Sequence, residues 1–332
     1  MRNWVNGPPL NYAAGIEIGA HAVRVVVLGY GRSTRHTAPW LRLLHAGGGR
    51  IEASATSGAD ILEPRAIASA LVDAFGGPDE IQRWGGAQTS VGLPPSTVLT
   101  RTVALAQLAG RRASRLTCLS PVPCSGGESS TLDQFEEGVL AEAERMMALD
   151  RSELCVDWFR APSSCDVEQA TIVATTRQQV ETRVTCAALA GLRIHAVDGD
   201  ADAALRACRY WGHVRHPASQ AGIAIWAVAG ETRAWCLRHR TVEHTLNGTD
   251  GIDTDFLRVW AQRTRPAMLV IGGEPACSRG GGLDAEQLGG MLGCAVEAFE
   301  PGLCCPPLEP VREHRAGPEY AVAFGLALRG VE

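Results

Sequence analysis

Two short runs of β-type residues, Gly15 to Ile18 and Val23 to Leu28, flank the polar stretch Gly19-Ala20-His21-Ala22. β-branched residues on both sides of so brief a turn predict a hairpin. A second pair, Gly222 to Ala229 and Thr232 to Arg238, turns at Gly230-Glu231 and predicts another. After the first hairpin, Glu63 to Phe75 reads as a helix: Pro64 suits its first turn, and Ile67, Leu71 and Phe75 recur every four residues. After the second, Asp250 to Arg263 predicts a helix and Ala267 to Ile271 a buried strand ending in Gly272-Gly273. Leu283 to Leu292 predicts a helix, Cys294 to Phe299 a strand and Pro318 to Arg329 a closing helix. Each hairpin thus opens a succession of strands and helices, a coarse internal repeat that implies two similar α/β lobes.

The stretch between the two halves has a different rhythm. Thr89 to Leu105 carries β-type segments broken by Pro94-Pro95, and Arg111 to Ser130 reads as loop. Asp133 to Leu149 is an amphipathic helix with Phe135, Val139, Leu140, Ala143 and Met147 on one face. Cys155 to Arg160 closes this stretch as a strand, and the whole reads as an inserted subdomain. The α/β rhythm resumes with a strand at Gln169 to Thr175. A helix follows, capped by Thr176 and ended by Gly191, with Val180, Val184, Ala187 and Ala188 expected inward. Leu192 to Val197 is expected as a strand and Ala201 to Trp211 as a helix.

Composition narrows the chemistry. The chain has 332 residues, 45% hydrophobic and 20% charged, with a formal net charge of −5, so it carries no blanket basic field for nucleic acid. All 31 basic residues are arginine. Without lysine there is no Walker A loop, no kinase strand lysine and no Schiff base. The 11 cysteines form no C-x-x-C pair, the first residues are polar with Pro8-Pro9, and no apolar run has the length of a membrane span. These features lead to the expectation of a cytoplasmic protein with reduced thiols.

Several segments, in order, carry a resemblance. Gly15-Ile16-Glu17-Ile18-Gly19-Ala20-His21 resembles the first phosphate motif of actin-like ATPases. Val91-Gly92-Leu93-Pro94 followed by Val98-Leu99-Thr100-Arg101, the acidic helix Phe135 to Asp150, and Val173-Ala174-Thr175-Thr176 with Gly191-Leu192 and Val197-Asp198 look like successive parts of the PilM family. These are the actin-like, FtsA-like proteins of type IV pilus assembly. Ile271-Gly272-Gly273 resembles the adenosine motif, and Ala321 to Leu328 resembles the final helix. The resemblance implies an α/β, actin-like ATPase (ribonuclease H-like) fold of two duplicated lobes with an FtsA-type inserted 1C subdomain. The expected divisions are 13–86 and 165–200 for subdomain 1A, 87–164 for the insertion, 201–315 for lobe 2 and 316–332 for the closing helix. It further implies a scaffold of the pilus or competence machinery that binds the cytoplasmic N-terminal peptide of a PilN-like inner-membrane protein near residues 87–164. Such a protein would be cytoplasmic and meet the membrane only through that partner, with no nucleic-acid role. The chain stops just past the closing helix, which argues against an FtsA-like division protein with its terminal membrane helix.

The nucleotide motifs depart from the pattern. The residues that would remain at a nucleotide site are Glu17, Gly19, Ala20, His21, Gly272 and Gly273. Glu17 stands where the family carries Asp, which moves a magnesium-side carboxylate outward by about 1.5 Å, one C–C bond. The competing reading is a hairpin charge that is solvated or paired. In the second hairpin Trp226 and Val228 stand where the family carries Asp and Gly, and Glu231 substitutes only after a register shift. No cofactor and no more than weak ATP turnover are therefore expected. The alternative is an active actin-like ATPase or small-molecule kinase using ATP with magnesium. His213-x-x-His216 lacks a third ligand at zinc spacing. Cys304-Cys305 is a candidate redox pair, and Trp4, Trp40 and Trp84 are candidate partner anchors against the plainer reading of core or rim packing.

Overall fold

Alternation of buried side chains turns the first hairpin into the spine of a sheet. In a computed structural model, which describes residues 11–31, 40–108, 130–161, 168–228, 230–239, 241–249, 252–274, 285–305 and 316–331, strands β1 (Asn11–Ile18) and β2 (Ala22–Tyr30) pair antiparallel with Glu17 opposite Arg24. A third strand, β3 (Leu41–Arg50), continues the meander from β2. It is absent from the sequence reading. Two-residue strands β4 (Thr56–Ser57) and β5 (Asp60–Ile61) lead to helix α1 (Pro64–Phe75). Pro64 sits in its first turn, its buried face carries Ile67, Leu71 and Phe75 as the periodicity predicts, and Gly76 closes it at a φ of 88°. After a short helix, α2 (Pro78–Arg83), strand β6 (Gln88–Leu93) lies parallel to β1.

The chain then enters a separate compact unit, Pro95–Arg183. It holds an antiparallel sheet in the order β7 (Leu99–Ala104), β9 (Gln169–Thr176), β8 (Leu154–Ala161), with helix α3 (Ser130–Met147) against it. Its core gathers Val103, Leu108, Val139, Ala143, Leu154 and Ile172. The unit therefore runs from 95 to 183, where the sequence pattern puts divisions at 87 and 164. Two pairings move them: β6 is bonded into the first lobe's sheet, and β9 is the middle strand of the inserted sheet. The loop expected at Arg111 to Ser130 lies almost wholly outside the described residues.

Helix α4 (Arg177–Leu189) returns the chain to the first lobe, and the division between the units falls within it. The sequence reading places Val184 and Ala188 inward. Both are exposed, and the buried face carries Gln179, Arg183, Cys186 and Ala187. Arg183 is accommodated there because its guanidinium donates to the Gln179 carbonyl at 3.1 Å. Strand β10 (Ala196–Gly199) then completes the first sheet in the order β10-β6-β1-β2-β3. It falls later than the expected Leu192 to Val197, since Ile194 and Leu192 pack into the core behind the sheet.

After helix α5 (Asp200–Arg215) the pattern repeats. Strands β11 (Ala221–Val228), β12 (Glu231–Arg238) and β13 (Thr241–Gly248) form a second meander. Helix α6 (Thr254–Thr264) is capped by the Asp253 side chain, which accepts from the Phe256 N–H at 2.9 Å. Strands β14 (Met268–Gly273) and β15 (Ala295–Ala298), either side of helix α7 (Ala285–Leu292), add in parallel. The second sheet reads β13-β12-β11-β14-β15, the same order and the same strand directions as the first. The duplication inferred from the two hairpins is therefore topological.

A one-turn helix, α8 (Pro301–Cys304), precedes the last helix, α9 (Ala321–Arg329), which enters through a 3-10 turn at Pro318–Tyr320. Every side chain from Ala321 to Leu328 is buried. This helix follows the second sheet but packs on β1, β2 and β6 of the first, whereas α5 follows the first sheet and packs on β11 and β14 of the second. The two helices meet between the lobes with almost nothing separating their backbones. A Cβ on Gly325 would lie 1.8 Å from the Ala203 carbonyl oxygen, and one on Gly15 would lie 2.0 Å from that of Ala323. No helix among the described residues is long and apolar enough to cross a membrane.

These contacts set a stability prediction. Gly325→Ala overpacks a backbone contact that cannot yield, and should cost about 3 kcal/mol. Gly302→Ala, where an added Cβ meets nothing within 4 Å, should change stability by less than about 0.5 kcal/mol. Urea unfolding followed by far-UV circular dichroism compares the two; equal midpoints would remove the claimed constraint.

Candidate functional site

The sequence-derived residues come from three turns, and the structure places them differently. In the first turn Ala20 and His21 are exposed at the tip. Their carbonyls accept from Thr56 Oγ1 at 3.1 Å and from the Ile51 N–H at 3.0 Å. Gly19 donates its N–H to the Ala22 carbonyl at 3.0 Å, so that donor closes the hairpin. Gly19 does not adopt a left-handed backbone conformation.

Of the competing reading of Glu17 as a hairpin charge, solvated or paired, the structure has the paired form. Glu17 is only 5% exposed, and Arg24, its direct cross-strand partner, donates from Nη1 to Glu17 Oε1 at 3.0 Å. Glu17 Oε2 is buried with no hydrogen-bond partner among the described residues. The other arm of Arg24 reaches the second lobe, where Nη2 donates to Glu274 Oε1 at 3.1 Å. This partner lies immediately after the sequence-derived pair Gly272-Gly273. Gly273 has a φ of 99°, and a Cβ there would lie 2.0 Å from the Ala227 carbonyl oxygen. The Glu274 N–H donates to that same carbonyl at 2.8 Å, which fixes where the Glu274 side chain departs. Gly272 packs against Ala321 at the head of α9.

Glu319 and Tyr320, in the 3-10 turn before α9, face the same corner electrostatically. Three carboxylates therefore surround one guanidinium. Burial pushes the Glu17 carboxyl up to about 7; Arg24 opposes the rise, while Glu274 and Glu319 add to it. Arg24 is disfavoured by burial, but Glu17 and Glu274 hold its pKa above the ordinary arginine value. Sequence reasoning found Glu17 and Gly273 but not the Arg24–Glu274 contact, which joins residues 250 apart in the chain.

The second turn has no carboxylate from β11. Trp226 is 1% exposed and lies in the core shared by α5, α9 and the strands of both lobes, together with Trp211, Trp235 and Phe324. Glu231 is held by Arg233 at 2.6 Å on its own strand. A second charged cluster ties the crossing helices together: Asp198 accepts from Arg206 at 2.8 Å and from Arg329 at 3.5 Å, and Arg206 also donates to the Gly325 carbonyl.

The remaining candidates resolve simply. His216 meets Glu297 at 2.7 Å, and no group of three His, Cys, Asp or Glu able to hold a metal occurs among the described residues. Cys304 and Cys305 are buried, and burial pushes the Cys305 thiol up to about 12, far from the thiolate that redox exchange needs. Trp84 is core, packed edge-on to Tyr12, whereas Trp40 is 39% exposed; Trp4 lies outside the described residues. On the inserted unit, β7 is an edge strand whose first four residues, Leu99 to Thr102, are exposed. At the opposite edge, a groove of about 540 Å³ runs between α3 and β8, lined by Val139, Leu140, Val156 and Trp158 beside the exposed Phe159.

The sequence matches no family model and no curated protein. Among solved structures the chain is similar to the PilM-PilN type IV pilus biogenesis complex, at 20% identity over 96% of this chain and 98% of that one, with a TM-score of 0.66. The chain has the actin-like fold. Two further similar structures are the cytoplasmic domain of EpsL of the type II secretion system of Vibrio cholerae, at 12% identity, 96% and 95% coverage and a TM-score of 0.42, and a Bacteroides thetaiotaomicron protein of actin-like ATPase fold and unknown function, at 9% identity, 86% and 91% coverage and 0.44.

The raised pKa of Glu17 sets a pH prediction. The folded state holds this proton up to about pH 7, and the unfolded state releases it near 4.5, the ordinary value of a glutamate carboxyl. Stability contributed by Glu17 is therefore greatest below 4.5 and falls as pH rises towards 7, by about 3 kcal/mol in all. Glu17→Gln should remove that slope: its stability relative to wild type should rise between pH 5 and pH 8 in denaturant titrations. Parallel curves for the two proteins would mean that Glu17 titrates normally.

Proposed function

We propose that this protein is a PilM-like scaffold that binds a cytoplasmic segment of a PilN-like inner-membrane protein and works without nucleotide. The observation that carries the reading is the likeness to the PilM–PilN complex, which extends over 96% of the chain and so includes the inserted unit as well as both lobes. On this reading the protein lies at the cytoplasmic face of the inner membrane, held there by its partner, in a pilus or competence machine. The exposed edge of β7 supports a receiving role, because an extended peptide can add to such an edge through main-chain hydrogen bonds.

The residues of the Glu17 corner do not fit a magnesium nucleotide. Arg24 already bridges the carboxylate of the first hairpin and that beside the Gly272-Gly273 turn. A triphosphate would meet the Glu274 and Glu319 carboxylates, joined by Glu17 above about pH 7, and like charges repel. The Gly19 N–H, a candidate phosphate donor, is engaged within its own turn, and the chain has no lysine to replace it. These features support a scaffold in which the ATPase chemistry of the fold is not used.

Calorimetric titration with the N-terminal cytoplasmic peptide of the PilN-like protein tests the scaffold reading. Micromolar binding, unchanged by ATP and magnesium, is expected. Leu99→Glu should weaken it about tenfold by placing a charge on the receiving edge, while Phe159→Glu on the opposite edge should leave it unchanged. Absence of binding, or steady phosphate release from ATP, would reject the proposal.

A further inference from the structure

Arg24 connects two places that the fold holds still. On one side, Glu17 and Arg24 are register partners in the β1–β2 hairpin, and their neighbours Ile18 and Val23 are buried. On the other, Glu274 leaves β14 directly after Gly273, whose backbone conformation and contact with Ala227 admit no side chain. Its own N–H is bonded to Ala227 as well. Neither end can drift towards the other, so the guanidinium must span a gap that the backbone sets. A planar fork with two donor arms suits that task, and an ammonium point charge would not. Arg24 is 13% exposed and Glu274 25%, so the bridge lies near the surface of the corner but out of bulk water.

We propose that Arg24 is a built-in latch between the two lobes. Its guanidinium, forked between Glu17 of the first lobe and Glu274 of the second, holds closed a corner whose carboxylates would otherwise repel. Without Arg24, Glu17 would lose its cross-strand partner and Glu274 its bond to the first lobe. Closure is then a property of the chain and needs no exchangeable ligand. Its loss should be felt on both sides of the corner, since the cation is shared between sheets that are otherwise joined through the crossing helices.

Hydrogen–deuterium exchange on the full chain, read by mass spectrometry at low salt and pH 8, where Glu17 is ionised even though burial pushes its carboxyl up to about 7, tests the latch. The informative segments are residues 15–24 in the first lobe and 268–274 in the second. Arg24→Gln should raise exchange in both by about tenfold, the scale of a half-buried ion pair. Arg24→Lys should fall between Gln and wild type. Glu274→Gln removes only the far end of the bridge, at a more exposed position, and should also loosen both segments; it decides the question alone if Arg24→Gln does not fold. The latch is overturned if Glu274→Gln changes neither segment, or if Arg24→Gln loosens residues 15–24 while 268–274 stay protected. In that case Arg24 serves only to satisfy Glu17 within its hairpin.

Discussion

The structure depends on one steric constraint: helix α9 must lie directly on the backbones of β1 and α5. Gly325 and Gly15 leave room for it, and Ala321, Ala323 and Ala327 keep the rest of the face small. Burying a segment this apolar is favourable by about 25 cal/mol per Å², but only a close approach brings both sheets into one core. The exchange of helices follows from it. Because α9 sits on the first sheet and α5 on the second, the cluster containing Val26, Trp226 and Phe324 belongs to both lobes. The same contact sets the corner, since Ala321 at the head of α9 rests on Gly272, and Glu274 follows two residues later.

Electrostatics then does what packing leaves open. A buried ion pair seldom stabilises more than an apolar replacement would, but breaking one by removing a partner is costly. Here the pair is extended to a third and a fourth group: Glu274 is bonded to the same arginine, and Glu319 acts on it electrostatically. The raised pKa of Glu17 comes first from burial, which also leaves its Oε2 without a hydrogen-bond partner among the described residues; Glu274 and Glu319 add to it. The position of Arg24 therefore matters beyond its contribution to stability, because one guanidinium is bonded to carboxylates of both lobes.

Much of this fold is legible in the sequence, and what is not has identifiable causes. The hairpins, α1 and α9 announce themselves through β-branched runs and four-residue periodicity. The third strand of each meander does not. β3 carries three consecutive glycines, Gly47 to Gly49, which give no strand signal, yet Gly49 is there because a Cβ would lie 1.9 Å from the Ala70 carbonyl oxygen of α1. β13 is a mostly exposed edge strand whose two large apolar residues, Val242 and Leu246, pack on different core clusters across a register shift, so it lacks the alternation that marks a half-buried strand. Helix α4 misleads in the opposite way: it buries Arg183 and Gln179 and exposes Val184, so hydrophobicity points to the wrong face. At the corner, Glu17 and the Gly272-Gly273 turn stand out by local pattern, whereas the arginine that joins them carries no local signal. Arg24 is one polar residue in a valine-rich strand, and its second partner becomes visible only when the two sheets are in place.

This hidden contact bears on how such a body could act as a scaffold. In a two-lobed protein whose closure depends on a small ligand, the surface offered to a partner varies with the ligand's concentration. If the closing cation is supplied by the chain, as proposed above, the lobes would present one arrangement whatever the nucleotide level. Trp226 works in the same direction: a large side chain, 1% exposed, fills the shared core at the strand where the resemblance predicts a carboxylate. A filled core and an internal counter-ion both remove degrees of freedom before any partner arrives, and binding then costs less in ordering.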